Sequence, residues 1–379
     1  MRVLHVSTDF KAVGDDVGYG GVERHVLQLA RLQVSAGKAP RIITTTDACD
    51  PLAIPLIPAE LYKLRFRDER EYLNQWERIA ESILDTARDY DIIHDHMGNF
   101  LSRFSNKLDS KPSFLSCYAQ PNHYAYQKLY RECARHFSTA TRRPRVVASS
   151  HRQRVDLQKL LDVDYVVYPI VADCPDYTTQ LGLIDVCLAG VRPDKCQLEI
   201  IEVCKSIHQP LLVAGPLLVF DSRSRDYAEM VMRAVDINIT AASLTMDEFV
   251  SVVERAAEAN QTIYVGELKQ AYLEVAFGIA KRLVLLNRTE EVFSTVVMEA
   301  MKRGIPCIVG PYASAWESTM GLAAIVNEIS RESITEAFSS DSPHRTMIRS
   351  FSNLVFDSKR WEETWDILYN STNNVLVTR

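Results

Sequence analysis

Short apolar, β-branched segments alternate with helical segments along the whole chain, and this alternation constrains the fold more than any other feature. Ten such segments occur, five in each half: Val3–Val6, Pro40–Thr45, Asp91–His94, Ser113–Cys117, Arg145–Ala148, Asp185–Ala189, Leu211–Ala214, Thr262–Val265, Leu283–Leu286 and Pro306–Val309. Strands separated by helices predict parallel sheets. The sequence therefore predicts the α/β class, with two Rossmann-like, doubly wound domains.

The length of 379 residues and the apolar fraction of 47% are sufficient for two domain cores. We predict an N-terminal domain over 1–170, a second domain over 171–345 and a helical segment over 346–379. Trp361, Trp365, Leu368 and Tyr369 recur at helical spacing in that last segment and need a packing partner, so we expect it to cross back to the first domain. Ligands bind at the carboxyl ends of parallel strands, which places the expected active site in a cleft between the domains.

Composition and terminal sequence exclude several classes of protein. No apolar run approaches the roughly 20 residues that span a bilayer, and the N-terminus enters a strand-like pattern directly. We therefore expect a cytoplasmic protein, with peripheral membrane contact left open. The eight cysteines have no metal-ligand spacing, so we expect neither a disulfide framework nor a structural metal.

The most informative segment carries two carboxylates, Glu291 and Glu299, eight positions apart across a strand-to-helix transition. Ser294 or Thr295 can cap the helix that follows. The free N–H groups and the positive dipole end of such a helix can bind phosphates. Alternatively, Glu291 only favours the helix dipole and Glu299 is a solvated helix residue.

This segment, E-V-F-S-T-V-V-M-E-A-M-K-R-G-I-P from Glu291 to Pro306, resembles the Glu-x7-Glu motif of the retaining glycosyltransferases of family 4, which have the GT-B fold. Val292 and Ser294 replace the two glycines of that motif. The resemblance implies that Glu291 contacts hydroxyls of a donor sugar and that Glu299 contacts the ribose. It also places three neighbouring residues at the donor: Phe293, Ser294 and Thr295.

Two motifs of the first half extend the resemblance. Gly20-Gly-Val-Glu-Arg-His25 is similar to the family's G-G-x-E loop, which implies that the backbone of Gly20 and Gly21 approaches the donor phosphates. Tyr90-Asp-Ile-Ile-His-Asp-His96 is similar to a strand end that would place His96 near the reacting groups. Taken alone, a glycine pair is a turn and a single histidine is a structural residue.

Two motifs of the second half also fit. The family has an Arg and a Lys that neutralise the departing diphosphate; Lys195 aligns with the Lys, whereas Gly190 occupies the Arg position and Arg192 lies two residues later. We predict that Lys195 and Arg192 share this role. Tyr264-Val-Gly-Glu-Leu268 resembles a glycine turn that faces the nucleobase, which assigns Gly266 and Leu268 to the donor.

The resemblance implies a metal-independent transfer with retention, from a nucleoside-diphosphate sugar, with a UDP-sugar favoured and no cofactor. Three alternatives remain open: sugar transfer to modified bases in DNA, a nucleotide-sugar epimerase, and a catalytically degenerate interaction subunit. Asp89-Tyr-Asp91 and Asp162-Val-Asp164 could indicate a metal-dependent transferase fold. Each pair begins a predicted strand, which is the wrong end for a ligand site in a parallel sheet.

A basic segment at 128–159 has nine Lys and Arg against two Asp and Glu. Arg142, Arg143 and Arg145 are its candidate acceptor-binding residues. If they bind an acceptor, it is anionic: a lipid phosphate, a membrane surface or a nucleic acid. The alternative is a solvated basic surface. Cys117-Tyr118 stands where the family usually has a His, which predicts an unusual acceptor or sugar.

Overall fold

The computed structural model describes residues 1–14, 20–59, 61–108, 111–122, 124–171, 174–179, 182–219, 221–312 and 315–371. Contacts divide the chain into two units. Unit 1 comprises Met1–Ala172 and Phe356–Arg379, and unit 2 comprises Asp173–Val355. Among the described residues, no helix is both long and apolar enough to cross a membrane.

Unit 1 is built on a seven-stranded parallel sheet with the order β3-β2-β1-β4-β5-β6-β7. Its strands are β1 (Arg2–Val6), β2 (Ala39–Thr45), β3 (Ala53–Ile57), β4 (Ile92–Asp95), β5 (Ser113–Cys117), β6 (Arg145–Ala148) and β7 (Tyr165–Val166). The connecting helices are α1 (Gly21–Ser35), α2 (Leu61–Arg67), α3 (Glu69–Ala87), α4 (Leu101–Phe104), α5 (Tyr124–Phe137) and α6 (His151–Leu157). The central strands are buried on both faces, as their continuous apolar runs predict.

Helix α3 shows how sequence sets this packing. Its N-cap residue Asp68 accepts a hydrogen bond from the backbone N–H of Glu71, which satisfies one donor of the first turn. Tyr72, Trp76 and Ile83 recur at helical spacing and are buried in the core cluster that covers one face of the sheet.

Unit 2 repeats the architecture, with the strand order β10-β11-β9-β8-β12-β13-β14, all parallel. Its strands are β8 (Ile184–Leu188), β9 (Leu211–Ala214), β10 (Ile237–Asn238), β11 (Thr262–Tyr264), β12 (Ala280–Leu285), β13 (Cys307–Val309) and β14 (Ala324–Ile325). Its helices are α7 (Gln197–Ser206), α8 (Ser222–Ala234), α9 (Met246–Glu258), α10 (Gln270–Gly278), α11 (Thr295–Lys302), α12 (Ala315–Thr319), α13 (Arg331–Ser339) and α14 (Arg345–Val355).

The C-terminal part of the chain is shared between the units. Helix α14 lies in unit 2, and the segment that belongs to unit 1 starts at Phe356. Helix α15 (Ser358–Ser371) buries Trp361, Trp365, Leu368 and Tyr369, which pack with Leu29 of α1 and with Val3, Ile92 and Phe114 on the sheet of unit 1. The predicted α/β class with two parallel sheets is confirmed.

Candidate functional site

The carboxyl ends of β8, β9, β11, β12 and β13 form one edge of the sheet in unit 2, which we call the unit 2 edge. Three of the glycines that follow these strands show how the strands end. A Cβ atom on Gly215 would lie 2.0 Å from the carbonyl oxygen of Ala189, and one on Gly310 would lie 2.8 Å from the backbone nitrogen of Asn287. Gly266 has a φ of +77° and its carbonyl accepts a hydrogen bond from Gly215. Strands β9 and β13 therefore end in closely approaching backbone, where a side chain would not fit, whereas the positive φ of Gly266 favours glycine after β11.

Lys195 and Glu291 meet at the unit 2 edge. Lys195 ends a 3-10 turn that follows β8, Glu291 lies in the loop between β12 and α11, and the ammonium of Lys195 contacts the carboxylate of Glu291. The Lys195 side chain is 8% exposed, and this burial lowers its pKa to about 8. The carboxylate of Asp194 favours the charged form and opposes that shift. Lys195 is therefore mostly an ammonium at pH 7.

Arg192 lies in the same turn, but its guanidinium contacts a carboxylate. Its Nη2 lies 2.8 Å from Asp194, and the backbone carbonyl of Asp194 accepts a hydrogen bond from the backbone N–H of Arg288. The positive charge of Arg192 contributes to the lowered pKa of Lys195. The structure thus places Arg192 beside Lys195, with Asp194 as its ion-pair partner.

Helix α11 begins at the unit 2 edge. Its N-cap residue Ser294 makes no side-chain capping hydrogen bond, so the predicted Ser cap is not formed. The first-turn N–H groups keep their capacity to bind an anion. Glu299, in the middle of the helix, is 7% exposed, which excludes the interpretation as a solvated residue. Phe293 and Leu268 are also buried at this edge, whereas Thr295 is half-buried.

The corresponding edge of unit 1 contains the glycine loop. Gly20 has a φ of 153°, and Gly21 begins helix α1. Glu23, on the first turn, contacts the hydroxyl of Thr8, and burial raises the pKa of this carboxyl group. His25 accepts a hydrogen bond through Nδ1 from the backbone N–H of Ile170, 3.1 Å away. The loop therefore presents buried polar groups beside the end of β1.

Seven polar side chains form a hydrogen-bonded network under this edge. Burial lowers the pKa of His5 to about 4 and holds those of His94 and His96 well below their usual value, so all three imidazoles are neutral. Each neutral ring donates one hydrogen bond and accepts one, so the side chains can form a chain in which every member donates to the next. From first donor to last acceptor, the chain runs through Tyr118, His96, His5, Gln33, Tyr369, His94 and Ser116.

This network decides what His96 does in the structure. The residue is fully buried, with Nε2 3.0 Å from Nδ1 of His5 and Nδ1 3.3 Å from the hydroxyl of Tyr118. Nitrogens of His5, His94 and His96 lie within 4.8 Å of one another, a spacing that could hold a metal ion. Each of these nitrogens already has a hydrogen-bond partner, so the geometry fits a hydrogen-bonded network better than a metal site.

Arg142, Arg143 and Arg145 of the basic segment lie at the opposite end of the sheet in unit 1. Arg145 is the first residue of β6, and Arg143 and Arg145 contact Asp164 at 2.5 and 3.0 Å. Burial lowers the pKa of Arg142, and the charge of Arg145 adds to that shift. Asp91 similarly accepts a hydrogen bond from the backbone of Arg2 at the start of β1 and β4. These arginines and both Asp-x-Asp pairs therefore lie at or near the amino ends of strands.

Two buried amides at the carboxyl edges were not predicted from the sequence. Gln120, after β5, and Asn287, after β12, are buried, and neither amide atom of either side chain has a hydrogen-bond partner among the described residues. The available signal was a polar residue two or three positions after a buried strand. For Asn287, that signal is the step from Leu283–Leu286 to an amide.

The comparisons with known proteins agree with this architecture. Residues 19–172 match the family described as Glycosyltransferase Family 4. That match covers 154 of the 379 residues, all of them in unit 1. The chain has the GT-B fold, as predicted, and it is a glycosyltransferase. No curated protein sequence matches it at a significant level.

Three solved structures show how far the shared fold extends. Sucrose-phosphate synthase from Thermosynechococcus elongatus has a TM-score of 0.69 over 98% of each chain, at 15% identity. HepE from Anabaena, in complex with UDP and glucose, has a TM-score of 0.66 at 14% identity, over 97% of this chain and 99% of its own. A glycosyltransferase from Rickettsia africae ESF-5 has a TM-score of 0.64 over 98% of each chain, at 16% identity.

Proposed function

We propose that this glycosyltransferase moves a sugar from a nucleoside-diphosphate sugar, with a UDP-sugar favoured, to an acceptor hydroxyl, with retention and without an obligatory metal. The observation that carries the proposal is the contact of Lys195 with Glu291 at the unit 2 edge. These two residues are 96 positions apart in the sequence. The family motifs assign Lys195 to the diphosphate and Glu291 to the donor sugar. Structures of similar fold support the donor class, since HepE was solved with UDP-glucose.

The proposed chemistry needs positioning and charge stabilisation. The acceptor oxygen bonds to the anomeric carbon on the face that the nucleoside diphosphate leaves. The bond from that carbon to the phosphate oxygen breaks, and the acceptor proton passes to the departing phosphate. Lys195 and the first-turn N–H groups of α11 supply positive charge for the leaving group. Glu291 and Glu299 bind donor hydroxyls, which fixes the anomeric carbon for attack.

In this proposal unit 1 binds the acceptor. Its carboxyl edge offers buried polar groups, including the Glu23 carboxyl group and the Gln120 amide. The ion pairs of Arg143 and Arg145 with Asp164 favour the interpretation of the basic segment as a charged surface. A hydroxyl-bearing acceptor therefore fits unit 1 better than an extended anion bound by those arginines.

Mass spectrometry of reactions with a panel of nucleotide sugars and acceptors tests the function. We expect transfer, or slow donor hydrolysis without acceptor, that persists in EDTA, and NMR should show the donor's anomeric configuration in the product. Lys195→Met should abolish turnover. Lys205→Met is the matched control, because Lys205 forms a more exposed pair with Asp236. An inverted product, or turnover that requires added metal, contradicts the proposal.

A further inference from the structure

Asn287 is the least explained polar side chain of the unit 2 edge. It is fully buried, and neither its Oδ1 nor its Nδ2 has a hydrogen-bond partner among the described residues. Leaving a buried donor or acceptor unsatisfied costs about 1–3 kcal/mol. An apolar residue of the same shape would avoid this cost. The amide therefore destabilises the folded protein, and stability does not explain why this position carries asparagine.

A second buried amide in unit 2 shows that the fold can satisfy such groups. Gln197, on the first turn of α7, is also fully buried. Its Nε2 donates to the carbonyl of Gly190 at 2.9 Å, and its Oε1 accepts from the hydroxyl of Tyr227. At the same edge of the sheet, the Gln197 amide is therefore hydrogen-bonded through both its oxygen and its nitrogen, whereas the Asn287 amide has no partner among the described residues.

The position of Asn287 points to a ligand that carries negative charge. Side chains alternate along a strand, so Asn287 follows Leu283 and Leu285, which pack in the core layer that includes α11. The uncapped first turn of α11 begins in that layer. The next residue, Arg288, donates its backbone N–H to Asp194, which precedes Lys195 in the chain. The strand end that carries Asn287 thus adjoins the turn of Lys195 and leads into the first turn of α11.

We propose that Asn287 is a donor-binding residue whose amide hydrogen-bonds the diphosphate of the nucleotide, an inference that rests on the proposed function. The side chain is fully enclosed, so a ligand can reach it only if the surrounding segment moves. Asn287 and Glu291 lie in the same loop between β12 and α11, and a phosphate also needs Glu291 to move before it can reach the ammonium of Lys195. Diphosphate binding therefore exchanges the Lys195–Glu291 contact for contacts of the ligand with both Lys195 and Asn287.

Asn287→Leu tests the inference because leucine has nearly the shape of asparagine without its polar atoms. Calorimetry with UDP and with UDP-glucose should show about a tenfold loss of affinity for both. Without ligand, the thermal midpoint of the variant should rise by roughly 2–4 °C, because a buried unsatisfied amide is removed. Gln197→Met is the matched control: it breaks existing hydrogen bonds, so its midpoint should fall.

The possible results separate this inference from the proposed function. If the wild-type chain binds neither UDP nor UDP-glucose, the proposed donor class fails. If the wild type binds and Asn287→Leu binds equally well, the inference is overturned. A lower midpoint of Asn287→Leu also overturns it, since the amide would then be bonded within the protein. A loss confined to UDP-glucose would place the amide on the sugar and refute the diphosphate contact.

Discussion

The state of ionisation of Lys195 predicts how donor binding depends on pH. Burial lowers its pKa to about 8, and a diphosphate binds the ammonium but not the neutral amine. Above pH 8, each further pH unit lowers the ammonium fraction of the free protein about tenfold, which costs about 1.4 kcal/mol of binding. We expect the affinity for a nucleoside-diphosphate sugar to fall about tenfold between pH 7 and pH 9.

Calorimetry with UDP-glucose measures this dependence, because the phosphate diester groups of the sugar nucleotide stay ionised throughout the range. Lys195→Arg keeps its charge at these pH values, so its affinity should stay flat even where it is weaker. Glu291→Gln removes a carboxylate that favours the ammonium. The decline in affinity should therefore begin at a lower pH in that variant.

The stability of the ligand-free protein should change in the opposite direction over the same range. The folded pKa of Lys195 lies below the unfolded value of about 10.5, so the unfolded chain binds more protons between these values. The cost of burying the ammonium, about 3 kcal/mol, is therefore relieved as pH rises from 8 to 10.5. Weaker binding that only follows alkaline unfolding would refute the reasoning. A flat affinity in the wild type, or a decline in Lys195→Arg, would also refute it.

Two further substitutions test unit 1. Tyr369→Phe removes the hydroxyl that contacts His94 and Gln33. Urea titrations should show that it lowers the free energy of unfolding by about 1–3 kcal/mol. Tyr312→Phe is the control, because Tyr312 is half-exposed and its substitution should change the free energy of unfolding little. Neutralising Arg143 and Arg145 together should leave the KM for the acceptor equal to that of the wild type at low and at high salt. If the KM of the variant is higher, and the difference shrinks at high salt, the acceptor is anionic and binds these arginines.

Much of the fold was predictable because long apolar runs identify central parallel strands. The outer strands β3, β7, β10 and β14 were not among the predicted segments. Three of them are two residues long, and β3 contains Pro55, which disfavours a strand assignment. These strands pair with one neighbour on a sheet that is already formed, so tertiary context determines them more than local pattern.

The site was predictable only in part, for a related reason. Periodicity predicted the strand ends and the helix that carries Glu299, but it could not bring Lys195 to Glu291; the family resemblance did. The resemblance gave no sign that Asp194 would pair with Arg192, because that contact depends on local side-chain geometry. It also could not show that Asn287 lacks a partner, since satisfaction of a buried amide depends on every neighbour at once.

The two edges differ in how their polar groups are satisfied, and this difference bears on the role of His96. In unit 1 the histidines bond to one another, to Gln33 and to tyrosines, so the network fixes neutral rings and resists rearrangement. In unit 2, by contrast, the Asn287 amide is unsatisfied and Lys195 is paired with Glu291 across a loop. The second arrangement suits groups that change partners when a ligand binds. His96 can contact a substrate only by giving up Tyr118 at Nδ1, because Nε2 is held by His5. Its most accessible function is therefore to orient the hydroxyl of Tyr118, which is only partly buried.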